Sequence, residues 1–390
     1  MMLQQPQEPW TIIFNLIFYV FLFISIFYGQ KIQYWQYSKK VESSLVKIKE
    51  KRQETKDRVK TKIIELRKRI EDHKPPAERD GSKAKLSAKE LDTFLDEFMQ
   101  FFMIQPESMD PAGIVGKLDQ LIDVRENRWD DTVQELVPGI DETWASNLEN
   151  LIEAALAVDS VYRIVRHFYV QGKKTKSLIF VMQIAMQIKI IEQMVDAYAK
   201  ASKAFYHGQP IGDALGPQVA ATLVRDLVAG GVEPEDICKE TILQEVKYNG
   251  RTLHVIRAKG PGGTVGKPGQ AIKLQVEKLG GKVNRIIMID AAMKLEGEAS
   301  GSIVEGVGAA IGGIGVEKFK IEDSSTTASI PIDAIICKQN LVDAITTMRK
   351  SISNSVKKIV ERIKIAIDKR TKEGDVIILA GIGNTIGIGI

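Results

Sequence analysis

The hydrophobic pattern divides the 390-residue chain into three stretches of different texture. Residues 10–28 contain no charged side chain and are numerous enough to cross a hydrocarbon core of roughly 30 Å as a helix. From there to Phe205, apolar residues recur mostly at intervals of three and four, which predicts helices. After Gly208, short β-rich apolar runs alternate with helical ones, which predicts strands and helices in turn.

The first stretch is predicted to be a transmembrane anchor in contact with membrane lipid. No Lys or Arg precedes it, whereas Lys31, Lys39 and Lys40 follow, so the positive charge predicts that the rest of the chain lies in the cytoplasm. A cleaved signal peptide is the alternative, but it would need a basic segment before the apolar run and a better cleavage site than residues 28–30. We therefore expect a single-pass protein of the cell membrane.

Residues 31–85 are strongly charged and are predicted to form a stalk helix followed by a linker at 75–85. The stalk carries a thin apolar stripe of Val41, Leu45, Ile48, Val59, Ile63, Leu66 and Ile70. Because polar residues interrupt this stripe, a short coiled coil and an ordinary stalk helix are both compatible with the pattern. The excess of Lys and Arg suits an anionic membrane surface, the alternative being a solvated face.

Residues 86–205 are predicted to form a helical domain. A capping box begins at Ser87 and precedes the apolar residues Leu91, Phe94, Leu95, Phe98, Phe101 and Phe102, which recur at helical spacing. Segment 178–195 is apolar enough to suggest a second membrane span, but its Gln, Lys and Glu residues favour a buried bundle helix. The stalk and the helical domain are also the surfaces through which we expect a homo-oligomer.

Composition narrows the possible partners. The net charge of +4 is too small to favour nucleic acid, so no nucleic-acid partner is expected. The two cysteines, Cys238 and Cys337, cannot by themselves form a disulfide framework or a thiolate metal site. This composition agrees with a reducing cytoplasm.

Residues 206–390 are predicted to form an α/β domain with a doubly wound, largely parallel sheet. Strands are expected at 253–256, 286–289, 335–336 and 376–379. Asp213 lies in an acidic strand-to-helix turn, and Asp290 ends the strand 286–289. An acid at the carboxyl end of a parallel strand points into the usual ligand crevice of such folds.

These motifs together resemble the superfamily that unites hydrogenase maturation endopeptidases with the spore germination protease. Its members open with an apolar strand ending Gly-hydrophobic-Gly-Asn, followed by an acidic turn, a Gly-Thr-x-Gly loop and a strand ending Asp-Ala. In residues 205–390 the last three keep that order, but Gly381-Ile382-Gly383-Asn384 lies near the C-terminus, as a circular permutation would produce. The whole arrangement also resembles an uncharacterised archaeal family of membrane-anchored proteins.

The peptidase resemblance implies that Asp213 and Asp290 hold the chemistry of a hydrolase of peptide or related amide bonds. Two carboxylates held close raise one pKa and share a proton, and they equally suit a divalent cation. However, segment 294–315 contains no His, so the family's third metal ligand is missing. The residues implied to shape a ligand pocket are Gly263, Thr264, Gly381, Gly383 and Asn384.

Two alternatives remain open for this domain. In a non-catalytic membrane-tethered scaffold or small-ligand sensor, Asp213 would only cap a helix. The glycine-rich loop 260–269 suggests phosphate binding at a helix start, although Pro261 and Pro268 exclude a Walker A loop. A nucleotide-binding module would need Lys267 to point into the cleft that holds the acids.

Overall fold

A computed structural model of the chain describes residues 9–74, 88–106 and 113–389, so Ser87 and the predicted linker at 75–85 lie outside the described residues. The helices are α1 (Pro9–His73), α2 (Ala88–Phe98), α3 (Ile114–Leu136), α4 (Glu142–Thr175), α5 (Leu178–His207), α6 (Leu215–Leu227), α7 (Pro268–Lys278), α8 (Val316–Thr327), α9 (Leu341–Ile345), α10 (Lys350–Ser353) and α11 (Ser355–Arg370). The strands are β1 (Glu235–Cys238), β2 (Thr241–Tyr248), β3 (Arg251–Ala258), β4 (Arg285–Met293), β5 (Ile303–Val307), β6 (Ile332–Gln339) and β7 (Val376–Gly381).

The chain divides into two compact units. The first comprises Met1–Gln53 and Val158–Val195, and the second comprises Glu54–Ala157 and Asp196–Ile390. The first unit is helical, with a core formed by Val41, Val165, Tyr169, Val181, Ala185 and Ile188. On α1, every described side chain from Trp10 to Ser25 is exposed. The apolar side chains of residues 10–25 are therefore uncovered.

Two segments of the described chain are apolar enough to bear on membrane insertion. By length and composition, α5 qualifies as a span on its own, whereas Trp10–Ser25 qualifies only together with Tyr28–His73, from which it is bent by 56°. The expectation of a buried bundle helix at 178–195 holds for one face only, because Met186 and Ile190 are 71% and 68% exposed. One face of this segment is nevertheless buried, through Val181, Ala185 and Ile188.

The helical part of the second unit has one core, which contains the second half of the stalk stripe. This core includes Val59, Ile63, Leu66, Leu91, Leu95, Trp129, Val133, Leu148, Leu151, Ala204 and Phe205. The residues predicted as the seam of a coiled coil or stalk thus pack against helices of the same chain. Phe102, the last residue of the apolar stripe that begins at Leu91, lies beyond the end of α2 and is 74% exposed.

The sheet has seven described strands in the order β1-β2-β3-β7-β4-β6-β5. Pairs β3–β7, β7–β4 and β4–β6 are parallel, whereas β1–β2, β2–β3 and β5–β6 are antiparallel. The expectation of a largely parallel sheet is therefore correct for its centre only. Tight turns cause the difference at one edge, where Asn249 and Gly250 both have positive φ and close the β2–β3 hairpin.

The last strand, β7, lies in the middle of the sheet between β3 and β4. This is the position that a permuted first strand would need. Helices cover both faces: α6 and α11 pack on one, and α7 and α8 on the other. The start of α6 touches β7 directly, because a Cβ added to Gly216 would overlap the carbonyl oxygen of Ile382 and one added to Gly381 would overlap that of Gly216.

Candidate functional site

A cavity of about 430 Å³, here called the acid cavity, lies at the carboxyl ends of β4 and β7. Asp213, Asp290 and Gly383 line it together. The remaining lining comes from α3, from β4 and the residue after β7, and from the starts of α7 and α8 with the segments before them. It consists of Asp119, Ile122, Glu126, Val265, Gly266, Lys267, Pro268, Ala291, Ile311, Gly312, Gly313, Ile314, Gly315, Val316, Glu317 and Ile382. The structure thus brings the two predicted catalytic acids to one cavity.

Asp213 lies in the 3₁₀ turn Gly212–Ala214, just before α6. Its Oδ2 accepts a hydrogen bond from the backbone N–H of Asn384 at 2.9 Å, while the N-cap of α6 is Ala214 and has no side-chain cap. The carboxylate therefore does not cap α6. The scaffold or sensor alternative required such a cap. Burial raises the pKa of Asp213, and the bond from Asn384 opposes that shift.

Asp290 lies in β4 and is 8% exposed. Its Oδ1 accepts a hydrogen bond from the N–H of Ala291 at 2.6 Å. Burial, followed by the charge of Asp213, raises the pKa of Asp290 to about 8. The two carboxyl groups therefore interact electrostatically, and at neutral pH Asp290 keeps its proton.

The positive charge in the acid cavity belongs to Lys267, and it is already neutralised. Its ammonium group forms ion pairs with Asp123 and, at 3.1 Å, with Glu126 of α3. At the start of α7, the N–H groups of Gly269 and Gln270 donate to one carboxylate oxygen of Glu317 at 2.6 and 3.0 Å. The groups that would bind a nucleotide phosphate are thus occupied by the chain's own carboxylates.

Of the five residues expected to shape a ligand pocket, only Gly383 lines the acid cavity. Gly381 packs against Gly216 at the start of α6. The hydroxyl of Thr264 donates to Glu240 and lines a separate cavity of about 540 Å³. These positions belong to the framework of the fold or to another cavity.

Gly263 and Asn384 connect the α/β part to α4. The N–H of Gly263 donates to Asn147 at 3.0 Å, and its carbonyl accepts from Asn150. The side-chain amide of Asn384 donates to Asn150 at 3.1 Å. Both residues therefore fix the position of α4 at the edge of the sheet, a role that the glycine-rich motifs did not reveal.

Helix α3 contributes carboxylates that were not predicted from the sequence, namely Asp119, Asp123, Glu126 and Asp130, which we call the acidic stripe. Its members form ion pairs with Lys320, Lys267 and Lys239 of the α/β part. Their spacing of four, three and four residues places them on one side of a helix, and this signal was present in the sequence. No side chain of α3 between residues 114 and 128 is fully buried.

The donors around the acid cavity do not form a metal centre. Within the described ranges, no group of three or more His, Cys, Asp or Glu side chains is placed to hold a metal ion. His254 is 5% exposed and hydrogen-bonds Gln275 on α7, outside the lining of the acid cavity. The arrangement thus fits a pair of acids better than a metal site.

Two family models together match nearly the whole chain. Residues 15–208 match the "Protein of unknown function (DUF1512) N-terminal domain", and residues 211–389 match the "Domain of unknown function (DUF1512) C-terminal". The chain belongs to this family. No curated protein and no solved structure matches it.

Proposed function

We propose that this member of the DUF1512 family hydrolyses peptide or related amide bonds with Asp213 and Asp290, while residues 10–28 tether it to the membrane. The observation that supports the reaction most strongly is the convergence of half-buried Asp213 and buried Asp290, each with a raised pKa, in one cavity. Perturbed carboxyl pairs of this kind are suited to acid–base catalysis.

In the proposed reaction, ionised Asp213 accepts a proton from a water molecule while protonated Asp290 donates its proton to the amide carbonyl oxygen. The oxygen of that water forms a bond to the carbonyl carbon and gives a tetrahedral intermediate. Its collapse breaks the C–N bond, the leaving amine takes the proton held by Asp213, and the hydroxyl proton returns to Asp290. The pair thus ends in its starting protonation state.

The walls of the acid cavity indicate the class of substrate. Apolar side chains of Ile122, Val265, Ile311, Ile314 and Ile382 line it. The lining carboxylates outnumber its single lysine, which is itself ion-paired. We therefore propose a substrate with an apolar side chain beside the cleaved bond and no phosphate group, because Lys267 is already ion-paired and a phosphate would lie beside the charge of Asp213.

The membrane setting and the permutation belong to the same proposal. The uncovered apolar side chains of residues 10–25 and the basic residues after them support an anchor with the remainder in the cytoplasm. The central position of β7 supports a permuted peptidase-like domain, as in the archaeal proteins that the arrangement resembles. A homo-oligomer through the stalk stays a prediction, although Val59, Ile63 and Leu66 are already used within the chain.

The test uses the full chain in detergent micelles with a mixture of peptides from digested cell protein, and mass spectrometry detects new termini. We expect cleavage by the wild type and none by Asp213→Asn, Asp290→Asn or the double variant. Asp323→Asn removes an exposed carboxylate of α8 and should cleave like the wild type. Cleavage by a folded double variant, or none by the folded wild type at any pH, would contradict the proposal and favour a scaffold or sensor.

A further inference from the structure

Arg257 is a fully buried arginine in the sheet. It lies in β3 with 1% of its surface exposed and pairs in register with Gly381 of β7. Because side chains alternate along a strand, Arg257 shares the side of Val255, which packs on the face covered by α6. An arginine so deep in a domain ordinarily has a carboxylate partner.

The guanidinium group of Arg257 lacks such a partner among the described residues. Its Nη1 and Nη2 each donate one long bond of 3.3 Å, to the carbonyls of Ala258 and Gly389, and its Nε has no hydrogen-bond partner. Burial, and after it the charge of Arg225, lowers the pKa of Arg257 to about 10, so the group stays cationic at neutral pH. A buried charge without a counter-ion is costly to fold.

Arg257 lines a cavity of about 530 Å³, here called the arginine cavity. The lining includes Arg225, Gln244, Glu233 and residues 230–232 of the loop after α6. Arg225 is exposed and forms no ion pair with the described part of the chain. Glu233 is the carboxylate in the lining, and no ion pair joins it to either arginine.

Helix polarity explains only one of these two arginines. The carbonyl groups at the end of α6 attract cations, and this accounts for an exposed arginine such as Arg225. It does not account for Arg257, whose Nε lies buried without an acceptor. An anion in the adjoining cavity would supply the counter-charge that Arg257 lacks among the described residues.

We propose that the arginine cavity binds a small anionic molecule whose phosphate or carboxylate group pairs with Arg257 and Arg225. The planar guanidinium group suits either oxyanion. The cavity is larger than a phosphate ion, which leaves space for the organic part of the ligand. The acid cavity shares no lining residue with it, so either proposal can fail without the other.

The test titrates inorganic phosphate, and separately acetate, into the full chain at constant ionic strength set with sodium chloride. Binding is followed by calorimetry and by the midpoint of thermal unfolding. We expect at least one anion to raise the midpoint of the wild type. Because a charged hydrogen bond is lost, Arg257→Gln and Arg225→Gln should each weaken its binding roughly tenfold or more. Arg166→Gln, an exposed arginine of α4, should leave binding unchanged.

A second readout separates an anion site from a merely structural arginine. Without added anion, Arg257→Gln should raise the unfolding midpoint, because it removes an unpaired buried charge. If the substitution instead lowers the midpoint and leaves the anion response intact, the proposal is overturned. An equal response of all variants would overturn it too, as would no response to either anion.

Discussion

The backbone N–H of Asn384 donates a hydrogen bond of 2.9 Å to Oδ2 of Asp213, which joins residues 171 positions apart in the chain. The turn that makes this contact passes over Asp213 at Gly383, whose φ is +132°. A Cβ at Gly383 would overlap the carbonyl oxygen of Asp213. The position of the catalytic candidate therefore depends on the absence of a side chain at residue 383.

Gly383→Ala should consequently destabilise the fold and displace Asp213. We expect a loss of about 2 kcal/mol or more in the free energy of unfolding, because both the backbone angle and the overlap oppose alanine. Gly312→Ala is the matched control, since Gly312 also lines the acid cavity but a Cβ there meets no atom within 4 Å. Denaturant unfolding of both variants measures the difference, and equal stabilities would contradict the described contact.

The raised pKa of Asp290 predicts a pH dependence of stability. Its carboxyl titrates near 3.8 when unfolded and at about 8 when folded, so its stabilising contribution is complete below about pH 4 and is lost as pH rises to about 8. Asp290→Asn should therefore become more stable than the wild type toward alkaline pH. The upper limit is about 6 kcal/mol, at about 1.4 kcal/mol per pH unit.

Chemical unfolding across this pH range checks the prediction. Asp323→Asn serves as the control and should follow the wild-type curve. A constant difference between Asp290→Asn and the wild type from acid to alkaline pH would mean that Asp290 titrates alike in both states. Peptide cleavage should fall over the same pH range as stability, because Asp290 loses the proton it donates as pH rises through its pKa of about 8.

The acidic stripe predicts that α3 responds to salt. Its C-terminal half is fixed by buried Trp129, Val133 and Leu136, whereas residues 114–126 meet the α/β part through ion pairs to Lys267 and Lys320. The lysines of these pairs are largely buried but their carboxylates are partly exposed, so salt weakens the pairs. Hydrogen exchange of residues 114–126 should therefore accelerate at high salt, while that of residues 129–136 stays slow.

Lys267→Gln tests the same contact at low salt. It removes the partner of Asp123 and one of the two lysines that pair with Glu126, so we expect faster exchange in residues 114–126 without added salt. Lys318→Gln on α8 is the control, because Lys318 pairs only with Glu322 of its own helix among the ion pairs of the described residues. Unchanged exchange in Lys267→Gln would show that other contacts hold this half of α3.

Deletion of residues 1–30 tests the anchor. The truncated chain should leave the membrane fraction and appear in the supernatant after alkaline washing, because the uncovered apolar segment at 10–25 is gone. Retention in the membrane would instead implicate α5, which also has the length and composition of a span. A variant with Met186 and Ile190 replaced by Ser, made in the full chain, separates these two segments.

Sequence patterns predicted the fold where local signals were strong. Each of the four predicted strands lies within a strand of the sheet, because its apolar run is buried from both faces. β2 was missed although Asn249-Gly250 marks its hairpin, and β5 was missed because its glycine-containing sequence is partly exposed. The antiparallel edges follow from those omitted strands.

The two acids of the candidate site could be predicted from the sequence, but most of the residues around them could not. The order of the motifs identified Asp213 and Asp290 as the candidate acids, and both line one cavity in the structure. A glycine motif indicates that another group lies close to the backbone. It does not show whether that group is a ligand or another segment of the chain. At Gly263 and Gly381 the neighbour is the protein itself. Arg257, a charge within an apolar strand, was visible in the sequence but belongs to none of the motifs.

The most direct test of the account is the titration of Asp290 in the full chain, followed by infrared difference spectroscopy of its carboxyl group with Asp290→Asn as the reference. We expect a protonated carboxyl at neutral pH that titrates near pH 8, and a lower pKa when Asp213→Asn removes the neighbouring charge. If Asp290 instead titrates in the ordinary acidic range and ignores Asp213→Asn, the two residues do not form a proton-sharing pair and the proposed hydrolysis loses its basis.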